Sequence, residues 1–292
     1  MKGIILAAGK GARLYPMTKP VCKPLLPIYD KPLIYYPLSA LLQAGITDIL
    51  IIIPPDTEDT FRSVLGDGSK WGISIRYQVQ QVARGIADAF IIGQEFIGTE
   101  NVCLVLGDNI FYSPDFCDIL QTVKEPIVGA TVFGCRVKDP RPFGVIEFDQ
   151  DGSAVSIEEK PSEPKSEYIV PGLYFYDNQV VKMAGKLQPS DRGELEITDI
   201  NIKYMKQNQL QVIPLHEDFL WKDAGTADTL LDAGNAVKAL HSKGITLGRI
   251  EEIAFRMKRI DATQLYELGK ELECTEYGKA LIELAKKNLG QR

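Results

Sequence analysis

A doubly wound, mostly parallel α/β sheet is the fold this sequence predicts, extended by mixed β-strands and closed by a helical C-terminal tail. Three observations lead there. Short continuous apolar runs, GIILAA at residues 3–8 and DILIII at 48–53 foremost, suit strands buried on both faces of a sheet. Between such runs the apolar spacing turns helical, and strands alternating with helices argue for a parallel sheet covered on both sides. Residues 242–292 carry few strand signals and show helical spacing instead.

The first strand stops at Gly9-Lys10-Gly11-Ala12-Arg13. A glycine-rich turn after a first strand is a common seat for phosphate, yet neither familiar pattern fits. A phosphate loop of the Gly-Lys-Ser/Thr type needs four residues after its first glycine, and here five separate Gly3 from Gly9, with Gly11 following Lys10. The dinucleotide fingerprint needs a third glycine where Leu14 stands, and a helix after it. Pro16, Pro20, Pro24 and Pro27 bar that helix, since each interior proline costs ~3 kcal/mol, so the segment is expected to be an extended loop. It carries Lys10, Arg13, Lys19 and Lys23 and no acid before Asp30. Such a loop is either an anion clamp built of cations and free N–H groups or an ordinary solvated basic turn.

Beyond it, the spacing predicts a helix from Leu33 to Gly45, a strand at Asp48–Ile53, a helix from Thr57 to Leu65, a strand at Ser74–Val79, a helix over Ile86–Ile92 and a strand at Val102–Leu106. Past Asp108 the rhythm shifts toward β, with runs at 129–137, 144–148, 154–158 and 173–176. A helix opens in 193–199, strands return at 210–214 and 218–222, and a helix runs to about His241. Glu251–Lys258, Ala262–Leu272 and Glu276–Leu289 are the tail helices. The expected division is residues 1–241 as one domain, with a change of rhythm at about 110, and 242–292 packed on it or on a neighbouring subunit.

Composition narrows the chemistry. A formal net charge of −6 over 292 residues argues against a nucleic-acid binder and makes the basic loop a local feature. No apolar run approaches membrane-spanning length and no signal peptide opens the chain, so a cytoplasmic protein is expected. Five cysteines without a C-x-x-C pair are expected to be reduced and mostly buried. Two histidines, His216 and His241, leave no histidine-rich metal site, so chemistry falls to carboxylates, lysine, arginine and a hard metal.

Ligands of doubly wound sheets bind beyond the carboxyl ends of strands. That rule selects the loop after Ala7, the segment Gln80–Gly85, and Gly107-Asp108-Asn109. Asp108 and Asp223 both end strands beside a glycine; together they suit Mg²⁺, and singly each could cap a turn or helix. Gln80 and Gly85 could read a flat base or could merely turn the chain, and Arg84 between them has no evident partner. Lys160 could meet a phosphate, or pair with Glu158 and Glu159 on the surface. Tyr174 and Tyr176 on one strand are expected to face core and cleft respectively, or the reverse.

The blocks LAAGKGARLYP, KPLLPIYDKPLIYYPLSALLQAGI, LGDNIF, FGVIEFD, IEEKPSEPKS, GLYFYDNQVV, RGELEITDIN and WKDAGTADTLLDA, in this order, resemble the sugar nucleotidyltransferases, within them the long, tetrameric glucose-1-phosphate thymidylyltransferase branch. The resemblance implies a Rossmann-like nucleotidyltransferase fold and Mg²⁺-dependent transfer of a thymidylyl group from dTTP to glucose 1-phosphate, releasing pyrophosphate and serving dTDP-rhamnose or related surface-sugar synthesis. It implies that Leu6, Ala8, Gly9, Gly11, Arg13, Gln80, Gly85 and Asp108 bind nucleotide, Gln80 and Gly85 at the base. Arg13, Lys23 and Lys160 would be catalytic. Asn109, Gly144, Glu159, Lys160, Val170 and Tyr174 would hold the sugar phosphate, and Asp108 and Asp223 the metal; the part up to about 110 would bind nucleotide and the part over 111–241 sugar phosphate. No nucleic acid and no membrane would be partners. The chain departs from the thymidylyl pattern at Ala12, at Pro24 and across Gln81–Ile86, which keeps UTP, or another sugar 1-phosphate, as the alternative. A non-catalytic ligand-sensing homologue is the reading from a different class, disfavoured because Arg13, Lys23, Asp108 and Asp223 are all present.

Overall fold

A computed structural model of the chain describes residues 1–124 and 128–289, so the last three residues of the expected tail lie outside it. Among the described residues ten strands form one sheet. Its parallel half is ordered Ser74–Val79, Asp48–Ile53, Lys2–Leu6, Val102–Leu106. In chain order that is three, two, one, four: the chain winds outward from the first strand and then reverses to the fourth on its other side. Between the first and fourth strands, therefore, the two loops diverge and leave a crevice at the strands' carboxyl ends.

The apolar runs form strands because both faces are covered. Ile5, Ile49, Ile51, Cys103 and Val105 belong to one buried cluster, while Ile4, Leu50, Ile52, Val102 and Leu104 belong to another. Adjacent residues thus feed opposite cores, as the twofold alternation of a strand requires. On the far side of Val102–Leu106 the sheet turns mixed. Leu173–Tyr176 runs antiparallel to it, then Ala130–Arg136, then Tyr168–Ile169, Gly144–Phe148 and Ala154–Glu159, with Leu210–Pro214 parallel to Ala130–Arg136.

Six expected strands match to the residue, and the differences lie elsewhere. The basic loop is less extended than expected: Ala12–Leu14 and Lys23–Leu25 each form a 3-10 turn, which the prolines permit though they bar an α-helix. Asn109–Tyr112 is a strand, pairing with Leu220–Asp223, and Phe116–Lys124 and Gln179–Ala184 are helices; none of the three was anticipated. The helix expected to open in 193–199 begins only at Ile197.

The tail helices Ile250–Arg256, Ala262–Glu271 and Glu276–Leu289 share the first core, with Ile250, Ala254, Leu265 and Leu281 packed in one cluster with Leu38 and Trp71. Buried Glu251 accepts from Trp71 Nε1 at 3.2 Å and from the Tyr277 hydroxyl. Packing on the main body is therefore what the tail does. All five cysteines are unpaired; Cys103 and Cys135 are buried, Cys22 and Cys117 half-buried and Cys274 exposed, so burial is less general than expected. Among the described residues no helix is long and apolar enough to cross a membrane.

Candidate functional site

Two cavities open at the crevice. One, about 370 Å³, lies under the first loop and is lined by Leu6, Gly9, Lys10, Gly11, Arg13, Lys23 and Asp108 among others. The second, about 1070 Å³, is lined by Asn109, Gly144, Glu159, Lys160, Val170, Tyr174 and Asp223 among others. Both have Arg13, Leu106, Asp108 and Gly225 in their walls, so they meet where cations and carboxylates converge.

The loop is shaped by Gly11, whose φ of 61° is left-handed, and by Thr18, whose hydroxyl donates to the Gly11 carbonyl at 2.7 Å. Leu14 N–H closes the turn onto the same carbonyl, while the N–H groups of Gly9, Lys10 and Gly11 have no acceptor within the described chain. They are open to solvent or to a ligand, and an anion clamp needs N–H groups of this kind. Lys23 is buried, and its ammonium pairs directly with Asp108.

Asp108 and Asp223 come together because Asn109–Tyr112 and Leu220–Asp223 pair antiparallel, with Asp223 opposite Asn109. Neither acid caps the following helix, although the Gly225 N–H also draws the Asp223 carboxyl. The helix Ala227–His241 is capped by Thr226, whose Oγ1 accepts from Thr229 N at 3.2 Å, and Asp108 leads into a strand. Asp223 Oδ1 is buried without a hydrogen-bond partner. Burial, and then the neighbouring Asp108, hold its carboxyl above the ordinary value, against the opposing pull of Lys23 and Arg13. A buried, unpartnered carboxylate oxygen beside a second carboxylate is a donor set that fits a hard divalent cation. Among the described residues no third His, Cys, Asp or Glu completes a metal cluster, so phosphate oxygens and water would supply the remaining ligands.

The wall of the larger cavity is a polar brace. Glu159 accepts from the Thr198 hydroxyl and from Arg192 Nη2 at 3.3 Å, and the Lys160 ammonium stands 3.8 Å from it. Lys160 has a φ of 47°, unusual for a side chain that is not glycine, with its N–H bonded to Phe143 O at 2.9 Å. That ion pair is long and half-exposed, which leaves the ammonium available to a ligand.

Tyr174 and Tyr176 do not divide between core and cleft by alternation. Residues two apart share a strand face, and the two rings stack at 6.3 Å and 10°, both buried. Tyr174 still borders the cavity because it lies opposite Leu104, nearer the crevice than Tyr176, which lies opposite Val102.

Ala8, Gln80 and Gly85 line neither cavity. Ala8 is packed in the second core. Gln80 is buried, with Nε2 donating to Asp88 at 2.8 Å, and Arg84 donates to the other oxygen of Asp88 at 2.7 Å, which supplies the partner that Arg84 lacked in sequence. Gly85, at φ 103°, sits against the Leu195 backbone, where Leu195 N donates to Arg84 O at 2.6 Å. Thr198, Trp221 and Arg192 went unassigned. Their signal lay in RGELEITDIN and WKDAG, but only contact across the fold reveals that Thr198 and Arg192 hold Glu159 and that Trp221 holds Asn109.

The sequence model of the family described as "Nucleotidyl transferase" matches residues 2–239. Similar chains include a glucose-1-phosphate thymidylyltransferase of Neisseria meningitidis, 51% identical over 288 residues, 98% of this chain and 100% of that one. One of Mycobacterium tuberculosis with the same name is 47% identical over 289 residues, 99% of this chain and 100% of that one. A crystal structure of a putative glucose-1-phosphate thymidylyltransferase from Bacillus anthracis, in complex with a sucrose, superposes with a TM-score of 0.74 at 42% identity, covering 81% of this chain and 94% of that one. A UDP-glucose pyrophosphorylase complexed with UDP-glucose shares the fold, with a TM-score of 0.70 at 23% identity over 82% of this chain and 98% of that one.

Proposed function

Because the chain belongs to the nucleotidyl transferase family, we propose that it is a glucose-1-phosphate thymidylyltransferase, joining dTTP and glucose 1-phosphate into dTDP-glucose with release of pyrophosphate. The observation that carries this reading is the meeting of the two cavities at Arg13 and Asp108, since a group transfer needs two substrates whose reacting ends touch.

The triphosphate lies under the first loop, with the N–H groups of Gly9, Lys10 and Gly11 and the Arg13 guanidinium on its oxygens. The sugar phosphate lies in the larger cavity, with Lys160 on its phosphate and Glu159 accepting from sugar hydroxyls. A phosphate oxygen of glucose 1-phosphate attacks the α-phosphorus in line. A new P–O bond forms there as the bond to the β-phosphate oxygen breaks, and pyrophosphate leaves with the electron pair.

The nucleophile is already an anion, so no general base is required, and the enzyme's task is to hold two anions together. At an effective dielectric of 20, two unit charges ~4 Å apart repel by about 4 kcal/mol. Lys23 and Arg13 stand where that repulsion is greatest. Asp108 and Asp223 would hold Mg²⁺, which when bound supplies further neutralisation of phosphate charge. The product would serve surface-sugar synthesis of the dTDP-rhamnose kind, in the cytoplasm, by a homotetramer.

Pyrophosphate release measured across a matrix of dTTP, UTP and ATP against glucose 1-phosphate and other sugar 1-phosphates tests this. Fastest turnover is expected for dTTP with glucose 1-phosphate, and none with that pair would overturn the proposal.

A further inference from the structure

Asn109 is buried in the wall of the larger cavity, next to Asp108, and most of its hydrogen-bonding capacity is already spent. Its Oδ1 accepts from Trp221 Nε1 at 2.6 Å and from Gly172 N at 3.1 Å, while its Nδ2 donates to Asp108 Oδ1 at 2.8 Å. An amide oxygen has two lone pairs, and both are occupied. Turning the amide over would set its NH₂ against two N–H donors and its oxygen against a carboxylate, so the observed orientation is the one these neighbours allow.

Each neighbour is itself fixed. Gly172 is tied by Leu106 N–H donating to its carbonyl at 2.9 Å, and the Trp221 indole packs edge-on against Phe143 with ring centroids 5.2 Å apart. Asp108 is held a second way, through Ala224 N–H donating to its carbonyl at 3.1 Å. With Oδ1 engaged by Asn109, Asp108 Oδ2 is the oxygen directed at Lys23.

We propose that Trp221 and Asn109 are positioning residues that orient the Asp108 carboxylate for a divalent cation, the indole N–H setting the amide and the amide setting the acid. The inference rests on the reading of Asp108 and Asp223 as the metal-holding pair. It assigns Asn109 a task other than touching sugar, and Trp221 one that its indole N–H alone performs. Partners of this kind, standing behind a ligand, commonly change metal affinity about 10–100-fold when removed.

The test is Mn²⁺ binding to the full chain without nucleotide, followed by the electron paramagnetic resonance signal of the free ion, with thermal unfolding in EDTA as the control. Trp221→Phe keeps a ring against Phe143 and removes the N–H; it is expected to weaken Mn²⁺ about tenfold. Phe143→Leu disturbs the packing of the indole but not its N–H, and is expected to stay within about twofold. Asn109→Ala is expected to weaken Mn²⁺ at least as much as Trp221→Phe, and the double variant no more than Asn109→Ala, because the tryptophan acts through the amide.

Wild-type affinity in Trp221→Phe, equal losses in Trp221→Phe and Phe143→Leu, or independently additive losses in the double variant would each overturn the relay. Should Trp221→Phe fold poorly, Asn109→Ala against Phe143→Leu makes the same comparison. If wild type releases no pyrophosphate from dTTP and glucose 1-phosphate while the Mn²⁺ pattern holds, the proposed reaction fails and the relay stands.

Discussion

The Lys23 ammonium and the Asp108 carboxylate form a direct ion pair in the wall of the smaller cavity, which shares Asp108 with the larger, although the two residues are 85 positions apart in sequence. Lys23 is buried, so its charge has little water to lean on and much to gain from phosphate. Removing it takes away a donor aimed where charge gathers, a loss that typically lowers turnover on the order of 10²-fold or more. Lys23→Met is therefore expected to cut kcat for pyrophosphate release by about that factor. If kcat is retained and only KM rises, Lys23 binds substrate uniformly and has no special part in the transition state.

Asp223 leads to a prediction of opposite sign for stability and activity. Its folded-state carboxyl is held above the ordinary value by burial and by Asp108, so without metal the folded chain is penalised when that group ionises. The penalty is absent below the unfolded value near 3.8 and fully present above the raised folded value. Asp223→Asn, measured in EDTA, should raise the melting temperature near pH 8, with the gain fading as pH falls toward 4. Asparagine keeps an acceptor there but carries no charge, so the gain is the lost ionisation penalty, and each 1 kcal/mol of it corresponds to roughly 2–4 °C in a protein of this order of size. The same variant is expected to lose most pyrophosphate release at any pH. An unchanged melting temperature would mean that the folded chain already relieves Asp223 in another way.

Gly85 locks the segment that follows Gln80 against residues 193–197. A Cβ there would lie 2.5 Å from Leu195 O and 2.6 Å from Leu195 N, both backbone atoms, and φ is 103°. Gly85→Ala should thus destabilise the fold by about 1–3 kcal/mol and displace Gln80 with its Asp88 partner. On the reading that this segment meets the base, the KM for dTTP rises more than the KM for glucose 1-phosphate. Equal rises, measured by varying each substrate in turn, would remove Gln80 and Gly85 from base recognition.

The parallel half of the sheet was legible because its strands are buried on both faces and therefore carry uninterrupted apolar runs, as Asp48–Ile53 does. Asn109–Tyr112 was hidden because its four residues follow a turn and pair with a strand more than a hundred residues away, a relation that no local period encodes. The cations of the first loop were readable as candidates from charge alone. That Asp223 is not the cap of the next helix was not readable, since Asp223 and Thr226 are both good caps in sequence and only the Thr226 to Thr229 hydrogen bonds choose between them. Gln80 was found by pattern, but its hold on Asp88 depends on a helix that begins at that acid.

The C-terminal tail provides the last prediction, because its packing decides whether residues 1–241 can stand alone. Ile250, Ala254, Leu265 and Leu281 share a core with Leu38 and Trp71, and the Trp71 indole N–H donates to Glu251 of the tail. The tail also reaches toward the first loop: Lys31, buried just beyond it, has its ammonium 5.4 Å from the Tyr36 ring and 5.7 Å from the Tyr277 ring. Cutting the chain after His241 would expose that apolar face, take Glu251 from the Trp71 indole N–H and take the Tyr277 ring from Lys31. Residues 1–241 expressed alone are expected to aggregate. Tyr277→Phe, which removes one donor from buried Glu251, should cost about 1 kcal/mol, read as a drop of roughly 2–4 °C in melting temperature with substrate KM values unchanged. A soluble, cooperatively folding 1–241 fragment that melts at the temperature of the full chain would show instead that the tail is an independent unit.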